Sequence, residues 1–426
     1  MMLALARCLR RSAAPAVCLV LAATAGSADA QARQDPYLAR ARAILREVPL
    51  IDGHNDLPWE LRERFWSSFD SLDVARRQPR VMTDIGRLRA GGVGAQFWST
   101  YTPADARNPA PARTGMEQND IVHRLVARYP DTFVLARTAA DIERAHRDGK
   151  IASLIGLEGG HMIENSLGLL RAFYRDGVRY LTLTHSRNTD WADASTDAPI
   201  HGGLTPFGRE VVREMNRLGM LVDLSHVSDS TMWDVLEVTA APVIFSHSSS
   251  RYFAPHPRNV PDDVMRAVAR NGGVIMVNFV PEFIYRPTYD WSLVRDSVRR
   301  ALRAGRGDTA AGRVAWERAH PMPRPALGVV ADHFEHLRQV AGADHLGLGS
   351  DFDGISETPI GLEDVSTFPA LLAELLRRGW REEDVKKVAG LNVLRVMREA
   401  ERVAAGLQQE LGPSTARIED LDGARR

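Results

Sequence analysis

The sequence predicts a closed (β/α)8 TIM barrel, and three observations predict it. Eight short apolar runs alternate with helical patterns and few hairpin signals separate them, which implies a parallel sheet with helical crossovers. Several runs are almost wholly apolar, as expected of strands buried on both faces. Six of them end in a group able to bind a metal or carry a proton, and the C-terminal strand ends of such barrels carry the chemistry.

The strand candidates are residues 48–52, 93–98, 151–157, 180–184, 220–224, 242–245, 273–278 and 345–349. Helical periodicity separates them over residues 139–147, 167–176, 206–218, 230–238, 262–271 and 327–340. Eight such units favour closure; an open doubly wound sheet is the alternative on alternation alone. Residues 285–325, rich in Arg, Ala and Gly, read as a helical excursion before the last strand, and residues 370–378 and 382–400 as two closing helices. One catalytic domain over 31–400 with a charged tail over 401–426 follows.

The first thirty residues read as a signal peptide. Arg7, Arg10 and Arg11 precede an apolar stretch from Ala13 to Gly26, and Ala28-Asp29-Ala30 offers small residues for cleavage near Ala30. The apolar stretch is too short to span a bilayer stably, and the tail lacks the apolar character of a lipid-anchor signal. An exported protein, periplasmic or secreted, with no membrane anchor is therefore expected. Both cysteines, Cys8 and Cys18, lie in that segment, so disulfides, thiolate metal sites and cysteine nucleophiles are excluded from the mature chain. Lys plus Arg and Asp plus Glu balance at 54 each, which gives no support for nucleic-acid binding.

The first strand runs into Asp52, His54 and Asp56, the third into Glu158, the fourth into His185, the fifth into His226, the sixth into His247 and the eighth into Asp351 and Asp353. His54 and Asp56 stand two apart, so in extended chain they point to one side and can share a cation. Glu158 can bridge two cations through its two oxygens, with His226 and His247 on the second. Nitrogen and oxygen ligation suits Zn2+, with Mn2+, Co2+ or Fe2+ as alternatives. Each residue alone is weak evidence, since a strand-end histidine is more often a satisfied structural group and the aspartate of His-x-Asp can simply cap a helix. Separate strands placing such groups at one rim carry the weight. His123, His146, His333 and His336 fall on helices, where no chemistry is expected.

The chain resembles the membrane dipeptidase (renal dipeptidase) family of zinc peptidases. The resemblance lies in residues 51–59 (IDGHNDLPW), 156–160 (GLEGG), 181–188 (LTLTHSRN), 222–226 (VDLSH), 242–248 (PVIFSHS), 257–260 (PRNV) and 349–354 (GSDFDG). It implies two Zn2+ ions per chain, on His54 and Asp56, bridging Glu158, and His226 and His247. It implies that a metal-bridging hydroxide attacks a dipeptide, His185 polarises the scissile carbonyl, Arg258 takes the substrate carboxylate and Asp351 relays the proton. Trp59 is a candidate pocket wall, or equally a core residue. The resemblance also implies a homodimer. Where family members often carry an aromatic residue after Val-Asn-Phe, this chain has Val280. Other binuclear barrel hydrolases (lactonases, deaminases, phosphotriesterase-like enzymes) are the runner-up, but they usually open with His-x-His and use a lysine bridge. A non-catalytic binding protein is disfavoured because every ligand position is filled.

Overall fold

Runs of buried branched and aromatic residues form nine parallel strands in a computed structural model of the chain, which describes residues 35–104, 109–305 and 309–423. They are β1 (Leu50–Asn55), β2 (Val93–Tyr101), β3 (Phe133–Leu135), β4 (Ile151–Glu158), β5 (Val178–Thr182), β6 (Leu221–Asp223), β7 (Ile244–Phe245), β8 (Val274–Val277) and β9 (Leu346–Leu348). The order β2-β1-β9-β8-β7-β6-β5-β4 closes on itself, because β2 also pairs with β4 from Ala95↔Ala152 to Tyr101↔Glu158. The closed barrel has eight strands, those predicted, within a few residues at each end. The short β3 is an addition beside the start of β4; three residues carry too little pattern to be read from sequence.

Two apolar layers hold the barrel. Ile51, Phe97, Leu154, Tyr180, Ile244 and Met276 pack in one buried cluster, while Trp98, Ile155, Leu181, Val222 and Phe245 join the larger cluster that also holds helix residues such as Leu170, Phe207 and Phe334. Adjacent residues on a strand point to opposite faces, which is why Ile155 and Leu154 belong to different layers. The π-helical turn Lys387–Leu391 and the helix Asn392–Glu410 close the end where the strands begin: a side chain at Gly390 would strike Pro49 O, and Val393 and Met397 belong to the cluster of Ile51.

Two expectations are corrected. The helix expected to stop at Ala400 runs to Glu410, because Val393, Met397, Ala400 and Ala404 continue one buried stripe at helical spacing. The described part of the expected tail is docked: Asp422 accepts from Phe207 N (2.9 Å) and Thr205 Oγ1 (2.6 Å) at the start of the helix Pro206–Leu218. Between β8 and the helix Leu327–Ala341 the chain makes the helices Arg286–Ala304 and Thr309–Ala319. The expected signal peptide lies outside the described residues. Among the described residues no helix is long and apolar enough to cross a membrane.

Candidate active site

The parallel strands bring their C-terminal ends to one rim, and the residues that follow converge there. His54 lies on β1 with Asp56 just beyond it, Glu158 ends β4, and His185, His226, His247 and Asp351 stand in the loops after β5, β6, β7 and β9. Glu158 sits between two groups. Its Oε2 is 3.4 Å from His54 Nε2, and its Oε1 is 3.0 Å from His226 Nε2, 3.4 Å from His247 Nε2 and 3.8 Å from His185 Nε2. His54 Nε2 is also 3.3 Å from Asp56 Oδ2. Asp351 joins His54 and Asp56, with one donor atom of each within 4.8 Å of the others. Of the two strand-end aspartates after β9, only Asp351 enters the cluster. Asp353 turns away to accept from Met82 N at 2.5 Å.

Hydrogen bonds behind the rim decide which nitrogen of each histidine is free. Tyr180 donates its hydroxyl hydrogen to Gly53 O (3.2 Å), so at 3.0 Å it can only accept from His54 Nδ1–H. On the other side, Ser246 Oγ donates to the buried Asp223 carboxylate (2.6 Å) and so accepts from His247 Nδ1–H at 2.8 Å. In its neutral form each of the two presents a bare Nε2 lone pair toward Glu158, the tautomer a metal ligand needs. Ser99 Oγ donates to Glu158 Oε2 at 3.1 Å and fixes that carboxylate's plane. The short approach of Tyr180 depends on Gly156, where a Cβ would lie 2.0 Å from the tyrosine ring.

The charge balance fits a cation. Burial works against ionisation of Glu158, but His54, His226 and His247 outweigh it and hold the carboxyl well below its usual range. Burial pushes His226 and His247 well below the usual imidazole value and His185 down to about 4, so all three stay neutral at working pH. For His54 burial is outweighed by Tyr180, Glu158 and Asp56, which raise it. Asp351 is pushed well above the carboxylate range by burial, then by Asp56 and Glu158. His226 Nε2 and His247 Nε2 face each other at 3.1 Å and both face Glu158 Oε1. Donor atoms gathered this closely can share a positive ion between them. The nitrogen and oxygen donors and the surplus of carboxylates fit a divalent metal.

A cavity of about 270 Å3 opens over this cluster, lined among others by Trp59, Tyr101, Arg258 and Phe283. Trp59 is a wall residue, edge-on to Tyr101 with ring centres 5.0 Å apart. Arg258 is buried, donating to Ser248 Oγ (3.3 Å) and His247 O (3.2 Å), and has no carboxylate in ion-pair contact among the described residues. Burial lowers it to about 10, so it stays charged. A buried, unpaired guanidinium facing a cavity is a receptor for an anion. His226, Asp351 and Asp353 adopt left-handed backbone, with φ of 72°, 67° and 68°, a conformation costing on the order of 1–3 kcal/mol each and typical of functional sites. At Gly354 a Cβ would meet Asp56 Oδ2 at 2.3 Å and Asp351 Oδ1 at 2.5 Å, so only glycine leaves both carboxylates in place.

Sequence reasoning missed Tyr180, Ser246, Asp223, Ser99 and Tyr101. Tyr101 ends β2 and stacks near His185 with ring centres 4.5 Å apart, so its place at a strand end was the signal available. His333 and His336 are satisfied structural groups: His333 Nδ1 accepts from Ser250 N (3.1 Å) while Nε2 donates to Ile284 O (2.9 Å), and His336 pairs with Asp262 (2.8 Å).

The chain is similar to known proteins. The family described as membrane dipeptidase (peptidase family M19) matches residues 38–411. Dipeptidase verJ of Clonostachys rogersoniana is 44% identical over 387 residues, 88% of this chain and 90% of the relative. Dipeptidase 3 of Rattus norvegicus is 41% identical over 390 residues, 90% of this chain and 71% of the relative. The crystal structure of the probable dipeptidase PvdM from Pseudomonas aeruginosa has the same fold, with a TM-score of 0.75 at 23% identity over 86% of this chain and 99% of that one.

Proposed function

The chain belongs to the membrane dipeptidase family and is a metallopeptidase that hydrolyses dipeptides, and on that premise we propose which residues carry the reaction. His54 and Asp56 would hold one Zn2+ and His226 and His247 a second, with Glu158 shared between them. The observation that carries this is the division of Glu158, with one oxygen toward His54 and the other toward His226 and His247. Bound there, the ions would acidify a water and polarise the scissile carbonyl.

The remaining work falls to side chains. Arg258 binds the C-terminal carboxylate through its planar fork and so sets the scissile bond over the cluster. Neutral His185 donates a hydrogen bond to the carbonyl oxygen as negative charge develops there. Asp351 takes the proton of the attacking water and returns it to the leaving amine, which its raised proton affinity suits. Trp59 and Tyr101 wall the cavity.

The test is metal analysis of the purified protein with a dipeptide panel before and after chelation. Two zinc ions per chain and activity lost on chelation and restored by zinc are expected; full activity in metal-free protein would overturn the assignment. Export is proposed on Arg7, Arg10, Arg11 and the apolar stretch before Ala30. N-terminal sequencing of the protein recovered from the periplasm or medium should begin near Gln31. A homodimer is proposed on the family resemblance, and light scattering of the purified chain tests it.

A further inference from the structure

Beside the cavity over the Glu158 cluster lies a larger one, about 610 Å3 against about 270 Å3, and the two share Phe283, Asp351 and Gly354. Its outer wall is the helical excursion after β8, which contributes Trp291, Arg295, Arg313, Glu317 and, just beyond the second helix, Met322. This wall is tied in place. Trp291 Nε1 donates to His320 O at 2.8 Å and its ring meets Trp316 at 5.5 Å; Thr288 Oγ1 donates to Pro323 O at 2.5 Å; Arg295 pairs with Glu282 at 3.6 Å. The larger cavity is therefore built into the fold.

Two observations say what it receives. The first is position. A substrate carboxylate on Arg258 and a scissile carbonyl beside Glu158 leave the Cα of the second residue between them. Phe283 lies beside Arg258, its ring centre 5.5 Å from the guanidinium, and it borders both cavities. The side chain on that Cα has the larger cavity as its outlet. The second is chemistry. Apart from Asp351, which belongs to the Glu158 cluster, the charged groups of the compartment are paired, Glu282 with Arg295, Arg313 with Glu317 (3.1 Å) and Glu357 with Arg324 (3.9 Å), so none of these is left to select a charged side chain. Beside Gly354 and Ser356, the uncharged lining is apolar: Val280, Pro281, Phe283, Trp291, Met322 and Ile355.

We infer that the excursion forms a specificity compartment for the side chain of the substrate's C-terminal residue, and that it favours dipeptides in which that side chain is large and apolar. The inference rests on the dipeptidase reading above. Val280 lines the larger cavity, where a bulkier residue would take up part of its space.

The test compares Ala-Phe with Ala-Ala on the zinc-loaded full chain. The wild type should prefer Ala-Phe by about tenfold or more in kcat/KM, the scale set by a few methylene equivalents in an apolar pocket. Trp291→Ala, which removes the wall, and Met322→Trp, which fills the space, should each lower the Ala-Phe to Ala-Ala ratio about tenfold, through KM for Ala-Phe rather than kcat. If Trp291→Ala does not fold, Met322→Trp alone decides. A wild type that cleaves both substrates equally, or variants that leave the ratio unmoved, would overturn the inference while the dipeptidase reading stands. A zinc-loaded wild type that cleaves neither would overturn that reading and the inference with it.

Discussion

Glu158 is in the proposed mechanism the hinge of the site, because its two oxygens face different histidines across about one carboxylate width. Glu158→Gln replaces one oxygen by an amide nitrogen that cannot ligate; metal analysis should show occupancy lost. Asp351 contacts the cluster but is proposed to carry a proton, so Asp351→Asn should retain both metals while kcat falls by about 10²–10⁴-fold; wild-type kcat would place the relay elsewhere. Ser246 touches no substrate and sets the tautomer of His247 from behind. Ser246→Ala should weaken zinc binding about 10–100-fold, read by competition with a chelator, and unchanged affinity would remove Ser246 from the metal's support. The sequence exposed the ligands themselves, since each stands at the end of an apolar run. It concealed their supports: Tyr180 lies 126 residues from His54, and Ser246 and Asp223 are ordinary members of strand ends until β6 pairs with β7.

At the scale of elements, the barrel strands were legible because fully buried parallel strands are apolar without interruption, as in β4, where every residue is buried. Element ends were less so. Asp351 and Asp353 look equivalent in sequence, yet left-handed backbone at both positions and the bond to Met82 send them apart. His333, in the helix Leu327–Ala341, shows how an element uses a histidine without chemistry. With Nδ1 accepting from Ser250 N and Nε2 donating to Ile284 O, its neutral form is fully satisfied, and burial lowers its pKa to about 4. The unfolded chain has the higher pKa and so binds more protons between the two values. The stability contributed is complete above about 6.5 and is lost as pH falls toward about 4, up to on the order of 3 kcal/mol. Urea unfolding of the wild type and His333→Gln should show the stability gap between them narrowing from pH 7 to pH 4; a constant gap would mean that His333 does not titrate there.

For the whole molecule, the proposed ligands couple metal binding to stability, because they come from β1, β4 and the loops after β6 and β7, and meet only in the closed barrel. Free zinc at 100 times its Kd should stabilise the fold by about 2.7 kcal/mol and raise Tm by about 3 °C over the chelated protein. Scanning fluorimetry with and without chelator checks this, and coincident transitions would contradict a site assembled by folding. By itself the sequence determined the barrel, its strand ends and a rim rich in imidazole and carboxylate, because periodicity and apolar runs are local properties of the chain. Only the tertiary structure decided that Glu158 divides its oxygens between two groups of histidines, that Arg258 faces the cavity without a carboxylate partner, and that the excursion after β8 stands over the rim beside them. Those relations arise from closure, β2 on β4 and β1 on β9, which sets side by side residues as far apart as His54 and Asp351, and no local pattern encodes that distance.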